Sequence, residues 1–484
     1  MKSKTPQIVI VIILLLITIA QIVIILDLYL DTYSLGIFNK DKKFTSYYKT
    51  FEEATYQEYL HPYRLIVKGE DSDFWIIHQS DSFIYDPIWD SYKSILAKAI
   101  TNNPSFRHID VAYWNDIYKN EGITIEFFNN IPFEFLALMI NQDQFMENDE
   151  TIEKIHIKPE KDNVVTIYIK TNKSVLEYKN VASEGYFEIE KYNNLVSSFK
   201  INSKYETLSY NYYSQILGND GFAQLNINLD IPIILKSDAK KEYNFIYMDI
   251  LPIIVDYNKP ASTEEKMAKA EQIKQTLLGA TYDKNKTIIN ANGDIVYSNE
   301  YNIFNINKDG SFKYKFTPSN EGKEKGNIKE AFLNSIELIN KFLKLNSDNM
   351  PRFILSEVIS EKGYYTFKFN YVIDDNIVLI NNMNNAITVK ANSTRALEAS
   401  GILYNINNKI QTENKELTIK YTYNISTLDV IKNYNLNLLD YEVKDIFIGY
   451  VKETEQKEYL VPNLILRNHD GSITSFALMK VGEQ

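Results

Sequence analysis

Apolar and polar positions divide this chain into one uniform stretch and a long patterned remainder. Ile8 to Leu26 reads IVIVIILLLITIAQIVIIL, 19 residues without a charge. At ~1.5 Å rise per residue such a helix spans roughly 28 Å, close to the hydrocarbon thickness of a bilayer. The run is apolar on every face, unlike a helix with one wet side. A cleaved signal peptide ends in a small-residue site, whereas Asp27-Leu28-Tyr29-Leu30-Asp31 follows here. The pattern predicts an uncleaved N-terminal transmembrane helix within residues 1–31. Lys2 and Lys4 precede it and Asp27 and Asp31 follow it. By the positive-inside rule the N-terminus is cytoplasmic, and the bulk of this single-pass cell-membrane protein is extracytoplasmic. Thr18 and Gln21 are the polar side chains of the span; three residues apart, they share a face, with Leu14, Ile22 and Ile25 on or beside it. That face is the candidate helix–helix contact, because lipid leaves packing and interhelical hydrogen bonds to drive association.

Beyond residue 31 the pattern alternates between helical and strand periods. Asp90–Ile100 carries Ile95, Leu96, Ala99 and Ile100 on one side and predicts a helix, ended by Asn103-Pro104. Ile123–Phe128 predicts a strand and Pro132–Ile140 a short helix. Val164–Lys170, Tyr186–Glu190, Ala223–Leu229, Ile231–Leu235 and Phe245–Val255 are β-branched or aromatic runs that predict strands. After Asp256–Ser262, a candidate junction, the order becomes helix, then strands. A helix at 263–278 precedes strands near 286–297, 301–307 and 311–316, turned at Asn292-Gly293 and Asp309-Gly310. A helix at 327–345 precedes strands near 353–359, 363–373, 377–380 and 386–391. A helix near 426–435 precedes strands near 443–451, 457–467 and 472–479. The recurrence predicts an α+β fold of mainly antiparallel sheets with packed helices. The expected organisation is a membrane segment, 1–31, followed by three extracytoplasmic domains at 32–258, 259–326 and 327–484.

Composition narrows the chemistry. The 484 residues carry a net charge of -11, which opposes nucleic-acid binding. Cys is 0, so disulfides, thiolate metal sites and a Cys nucleophile are excluded. His61, His78, His108, His156 and His469 make no metal-ligand spacing. Asp283 to Asp294 has the acidic spacing of a calcium loop, but Ile288 and Asp294 stand where Gly and a bidentate Glu are required. Two strands flanking Asn292-Gly293 account for it better. Ser197–Lys200 and Ser237–Lys240 fit S-x-x-K and Ser347-Asp348-Asn349 fits S-D-N, yet no K-T-G or K-S-G follows. No catalytic, cofactor or metal residue is assigned, and an interaction module is expected rather than an enzyme. The alternative is an extracytoplasmic enzyme, or a cell-wall or ligand-binding sensor, with an unrecognised site.

A series of motifs resembles the YycH family of regulators of the YycG (WalK) sensor histidine kinase. Leu60-His-Pro-Tyr-Arg-Leu65 resembles its early Pro-centred strand. Asp294-Ile-Val-Tyr297 through Asn305, then Asp309 to Pro318, resembles its "YTDG … G-x-L-x-Y-x-x-P" hairpin, with Ser298-Asn299-Glu300 in place of TDG. Tyr364–Leu379 resembles "Y-x-F-x-x-x-I-x-G-x-P-V", with Asp375-Asn376 in place of Gly-x-Pro. Phe447-Ile-Gly-Tyr450, Tyr459-Leu-Val-Pro462 and Asp470-Gly471 resemble its closing sheet. The shorter paralogous family, YycI, is the near alternative; a substantial first domain favours YycH. The resemblance implies a three-domain outer region whose last two domains share topology, and no catalysis. It also implies partnership with the kinase and a YycI-like protein through membrane-helix contacts, and control of cell-wall metabolism.

Overall fold

Why the strands form is plainest in Val164–Thr171, where Val165, Ile167 and Ile169 are buried and alternate with more polar positions. In the computed structural model the described residues are 59–69, 73–102, 106–142, 150–202, 208–209, 241–244, 246–250, 287–290, 294–298, 301–307, 310–316, 326–344, 352–373, 375–380, 385–402, 404–407, 420–423, 443–452, 459–468 and 472–477. All belong to one unit, Tyr47–Gln484. The expected membrane span, the helices expected at 263–278 and 426–435, and the strands expected at 223–229 and 231–235 lie outside them. Among the described residues no helix is long and apolar enough to cross a membrane.

The first sheet has eight antiparallel strands: β1 (Arg64–Lys68), β2 (Asp73–His78), β3 (Arg107–Ile109), β4 (Gly122–Pro132), β5 (Thr151–Pro159), β6 (Val164–Thr171), β7 (Val175–Ala182) and β8 (Leu208–Ser209). Their order is β3-β7-β6-β5-β4-β1-β2-β8. One face, with Val67, Ile125, Ile155 and Ile167, packs with α1 (Ser82–Asn102) and α4 (Ile189–Ile201). Buried tyrosines pin these helices to the sheet. From α1, Tyr92 donates to the Ile155 carbonyl at 2.7 Å, and from α4 Tyr192 donates to the Lys68 carbonyl and accepts from Gly122 N. The other face lies beneath α2 (Trp114–Lys119), whose Trp114, Ile117 and Tyr118 cluster with Ile66, Phe74 and Val175.

The strand expected at Tyr186–Glu190 is instead a 3-10 turn, Gly185–Phe187, leading into α4. Gly185 takes φ 57, which an L side chain adopts only with strain, and the apolar spacing of Tyr192, Leu195, Val196 and Phe199 is helical.

A second sheet takes most of the remaining strands: β10 (Ile246–Ile250), β11 (Thr287–Ile289), β12 (Ile295–Ser298), β13 (Asn302–Ile306), β14 (Ser311–Phe316), β15 (Arg352–Glu361), β16 (Tyr364–Ile373), β17 (Asn376–Ile380), β18 (Ile387–Ala391), β19 (Ala396–Ile402), β20 (Tyr404–Asn407), β22 (Val443–Lys452), β23 (Tyr459–Asn468) and β24 (Ile473–Ala477). β9 (Lys241–Asn244) and β21 (Lys420–Tyr423) pair separately. The path runs β11-β12-β13-β14-β19-β18-β16-β17-β22-β23-β10-β20, with β15 on the other edge of β16 and β24 on β23. Thus β14 and β19, from either side of residue 326, join in one sheet. α5 (Ile328–Lys344) starts where Asn327 Oδ1 accepts from Lys329 N at 2.7 Å. It packs Phe332 against Phe367 of β16, ring centroids 5.2 Å apart.

β4 joins the two sheets. Its pairing with β5 is interrupted between Glu126 and Ile131. A bulge of this kind re-aims side chains. Phe128 thereby packs with Val372, Ile377, Leu379, Phe447, Val451 and Ile465 of the second sheet. Arg467 of β23 donates to the Phe128 carbonyl and to Asn129 Oδ1 and lies over the Phe128 ring at 4.5 Å. After β4, α3 (Phe133–Met139) sets Phe135 against Phe332 of α5 at 5.4 Å. One apolar core therefore runs from the first sheet through to α5 and the second.

Candidate functional site

Leu14, Thr18, Gln21, Ile22 and Ile25 lie outside the described residues, as do Ser237, Lys240, Ser347–Asn349 and His469. Ser197 and Lys200 stand exposed on α4. Of the candidate calcium loop, residues 287–290 and Asp294 are described: β11 pairs with β12, and Asn290 Nδ2 donates to Asp294 Oδ2 at 2.7 Å. Among the described residues no three His, Asp or Glu side chains group as metal ligands.

Sequence reasoning does not anticipate the polar cluster beneath α2. Register assembles it: Arg64 faces Glu126, Ile66 faces Thr124 and Lys68 faces Gly122 across β1 and β4. Lys154 and His156 of β5 lie beyond Glu126 and Thr124. Glu126 accepts from Arg64 Nε at 2.6 Å, from Lys154 Nζ at 2.6 Å and from the Tyr118 hydroxyl at 3.3 Å. Lys68 Nζ sits 3.0 Å from the centroid of the Tyr118 ring, a cation–π contact. Thr124 Oγ1 and His156 Nδ1 are 2.9 Å apart.

Burial governs the protonation of this cluster. It pushes Glu126 up, but the Arg64 guanidinium and the Lys154 ammonium outweigh it and hold the carboxyl well below the usual carboxylate range. Burial pulls Lys68 well below the ordinary lysine value; Glu126 opposes that shift and Lys154 adds to it. Burial, reinforced by Lys68, keeps His156 neutral well below its ordinary value. Gly122 makes room for the ring: a Cβ there would stand 2.8 Å from His156 Cε1 and 2.4 Å from the Ile157 carbonyl oxygen.

Perturbed titrating groups mark active sites in many proteins, but structural ion clusters shift pKa values too. Lys68 is 1% and Glu126 4% exposed, and α2 covers both, so a substrate has no approach to them. The chemistry of the cluster is to hold α2 on the sheet.

A second polar set spans the joint between the sheets. Ser80 donates to Asp375, Arg352 Nη2 to Gln79 Oε1 at 2.5 Å, and Ser360 and Tyr365 to the Glu134 carboxylate at 2.8 and 2.7 Å. Asp375 takes φ 62 in the β16–β17 turn, a left-handed conformation that glycine adopts most readily. Asp375-Asn376 stands where the motif resemblance expects Gly-x-Pro, and the Asp375 carboxylate provides the latch to Ser80.

No family model matches the chain, and no curated protein matches it. Among solved structures it is similar to the crystal structure of YycH from Bacillus subtilis. The identity is 15% and the TM-score 0.49, with 88% of this chain and 97% of that chain covered. At that score the likeness carries no argument about function.

Proposed function

We propose that the chain is a membrane-anchored, non-enzymatic regulator of a sensor histidine kinase that controls cell-wall metabolism, acting together with a YycI-like protein. The observation that supports this reading is the ordered motif series. Its first segment leads into β1 of the first sheet, and the later ones occupy β12, β13 and β14, the β16–β17 hairpin and the β22–β23 pair of the second sheet. In this reading residues 1–7 are cytoplasmic, residues 8–26 span the membrane, and the outer region follows. Recognition of the kinase helix lies on the Leu14–Thr18–Gln21–Ile22–Ile25 face, where each interhelical hydrogen bond contributes about 0.6–2 kcal/mol.

The test is co-purification from detergent-solubilised membranes, read together with kinase autophosphorylation. Thr18→Val with Gln21→Leu should weaken recovery of the kinase several-fold and shift its phosphorylation. Ile12→Leu with Ile13→Leu, an apolar exchange in the same span, should do neither. If the wild-type chain recovers no histidine kinase, the regulatory reading fails. If both double variants retain the kinase, recognition does not reside on this face.

A further inference from the structure

The outer face of the second sheet changes character from one end to the other. Two cross-strand rows can be followed through the registers. One runs Glu357, Lys368, Thr388, Ser400, Lys313, Asn305, Val296, Ile288; the other runs Ile359, Thr366, Lys390, Glu398, Lys315, Ile303, Ser298. On β15, β16, β18 and β19 the rows are polar except at Ile359. Lys368 pairs with Glu357 at 2.7 Å, and Glu398 takes both Lys315 at 3.2 Å and Lys390 at 3.5 Å. On β11, β12 and β13 apolar side chains enter the same rows, beside Asn305 and Ser298. Ile288 is 63% exposed and Ile303 45%, Val296 is half-buried between them, and Tyr301 is 40% exposed at the start of β13. Three of the seven exposed large hydrophobics among the described residues thus fall on one small surface. Scattered apolar side chains need no explanation, but a contiguous set rimmed by polar residues marks an interaction site.

The rim determines what fits. Lys313 and Lys315 of β14 are both exposed and border the apolar end. Lys315 shares its one carboxylate with Lys390, and Lys313 faces Ser400 and Asn305 rather than an acid. Among the described residues this side of the border sets Lys313, Lys315 and Lys390 against Glu398, while Asp294 lies beyond Val296, bonded to Asn290. From β11 to β14 is three strand spacings, ~14 Å, and a helix with its side chains is ~10–12 Å across. We infer that this face docks an amphipathic helix of a partner protein, its apolar stripe on Ile288, Val296 and Ile303 and its carboxylates toward Lys313 and Lys315. Helix on sheet is also how α5 covers β16 in this chain. An anionic membrane fits less well, because Glu398 stands in the same row. The inference is independent of the kinase reading, which rests on the motif series and the membrane helix.

The chain contains 0 cysteines, so each Cys substitution gives a single thiol. Ile303→Cys reports on the face and Ser197→Cys, on exposed α4, reports away from it. Maleimide labelling of the full chain is compared in native membranes, opened to the reagent on both sides, and after purification in neutral detergent. Occupancy of about 90% leaves roughly a tenth of the thiols free, so Ile303→Cys should label about tenfold more slowly in membranes than when purified. Ser197→Cys should label equally in both. Adding Lys313→Glu with Lys315→Glu should return the Ile303→Cys rate to that of the purified protein. Equal labelling of Ile303→Cys in both preparations overturns the proposal. So does protection that survives the charge reversal, or that persists in the purified protein and so comes from the chain itself. Protection restored to the purified protein by vesicles of anionic lipid assigns the face to the membrane and overturns the helix.

Discussion

Lysines and glutamates occupy two sheet faces in this chain, and their surroundings give them different work. Beneath α2, Arg64, Lys68 and Glu126 are buried and Lys154 is half-buried, and one carboxylate collects three donors. On the outer face of β15–β19, Glu357–Lys368 and Glu398 with its two lysines stand partly in water. The residue types and the alternation are alike; the helix above the first face makes the difference. Removing water raises the attraction between opposite charges and also the cost of any charge left over. The first face should therefore be sensitive to losing one partner, and the second nearly indifferent.

The largest effect expected from this contrast is at Glu126. Glu126→Gln keeps the shape but leaves Arg64, Lys154 and Lys68 facing one another without the anion among them. Breaking a buried pair by removing one partner costs about 3–5 kcal/mol. Denaturant unfolding of the full chain in detergent checks it by tryptophan emission, because Trp75, Trp89 and Trp114 lie on β2, α1 and α2 and report the first sheet. A loss below about 1 kcal/mol would mean that the two faces are energetically alike.

Lys68 sharpens the same contrast from the opposite direction. Its amine is buried over Tyr118, and Glu126 is already engaged by Arg64 and Lys154. Burial lowers its pKa well below 10.5. Between the folded value and 10.5 the unfolded chain binds a proton that the folded chain does not, so this group makes stability rise with pH across that interval. Lys68→Met removes the proton difference and fills the site with an apolar chain. It should stabilise the fold at neutral pH by about 1–2 kcal/mol and flatten the rise of stability with pH below 10.5. Unfolding curves at neutral and at alkaline pH measure both. A destabilised Lys68→Met protein would show that the ammonium–Tyr118 contact outweighs desolvation.

How much of this was legible depends on whether the signal is local. Residues 311–316 and 364–373 alternate and are bounded by turn residues, and the strands lie there. α5 lies within the helix expected at 327–345. β19, Ala396–Ile402, has no such signature: Ala, Ser and Gly favour no strand, and β14 and β18 hold it from both sides. Its Gly401 is required because a Cβ would lie 2.4 Å from the Ala386 carbonyl oxygen. α4 was obscured because Tyr186–Glu190 is too short a window to separate a strand from a helix start. The ion cluster was invisible for a different reason. Arg64, Glu126 and Lys154 are separated by 62 and 28 positions, and register alone brings them together. The Asp375 latch was half legible, since the motif resemblance expects Gly-x-Pro at Asp375-Asn376 but says nothing of Ser80.

The smallest effect belongs to the exposed ladder. Glu357 and Lys368 are 2.7 Å apart with side chains 29% and 25% exposed, and neighbouring strands hold the two backbones in register whether or not the charges meet. Exposed pairs gain little Coulomb energy in water and lose side-chain freedom on pairing, so they contribute about 0–1 kcal/mol. Glu357→Gln should therefore lower stability by no more than about 0.5 kcal/mol, and added salt should erase even that, because charges this near the surface are screened over roughly 10 Å at 0.1 M. The Glu126→Gln deficit should largely persist in the same salt, since Glu126 and Arg64 are buried beneath α2. Circular dichroism of the sheet signal follows Glu357→Gln, which lies far from the tryptophans in sequence. If Glu357→Gln costs as much as Glu126→Gln, or if salt erases both deficits equally, then the cover of α2 does not set the difference between the two faces.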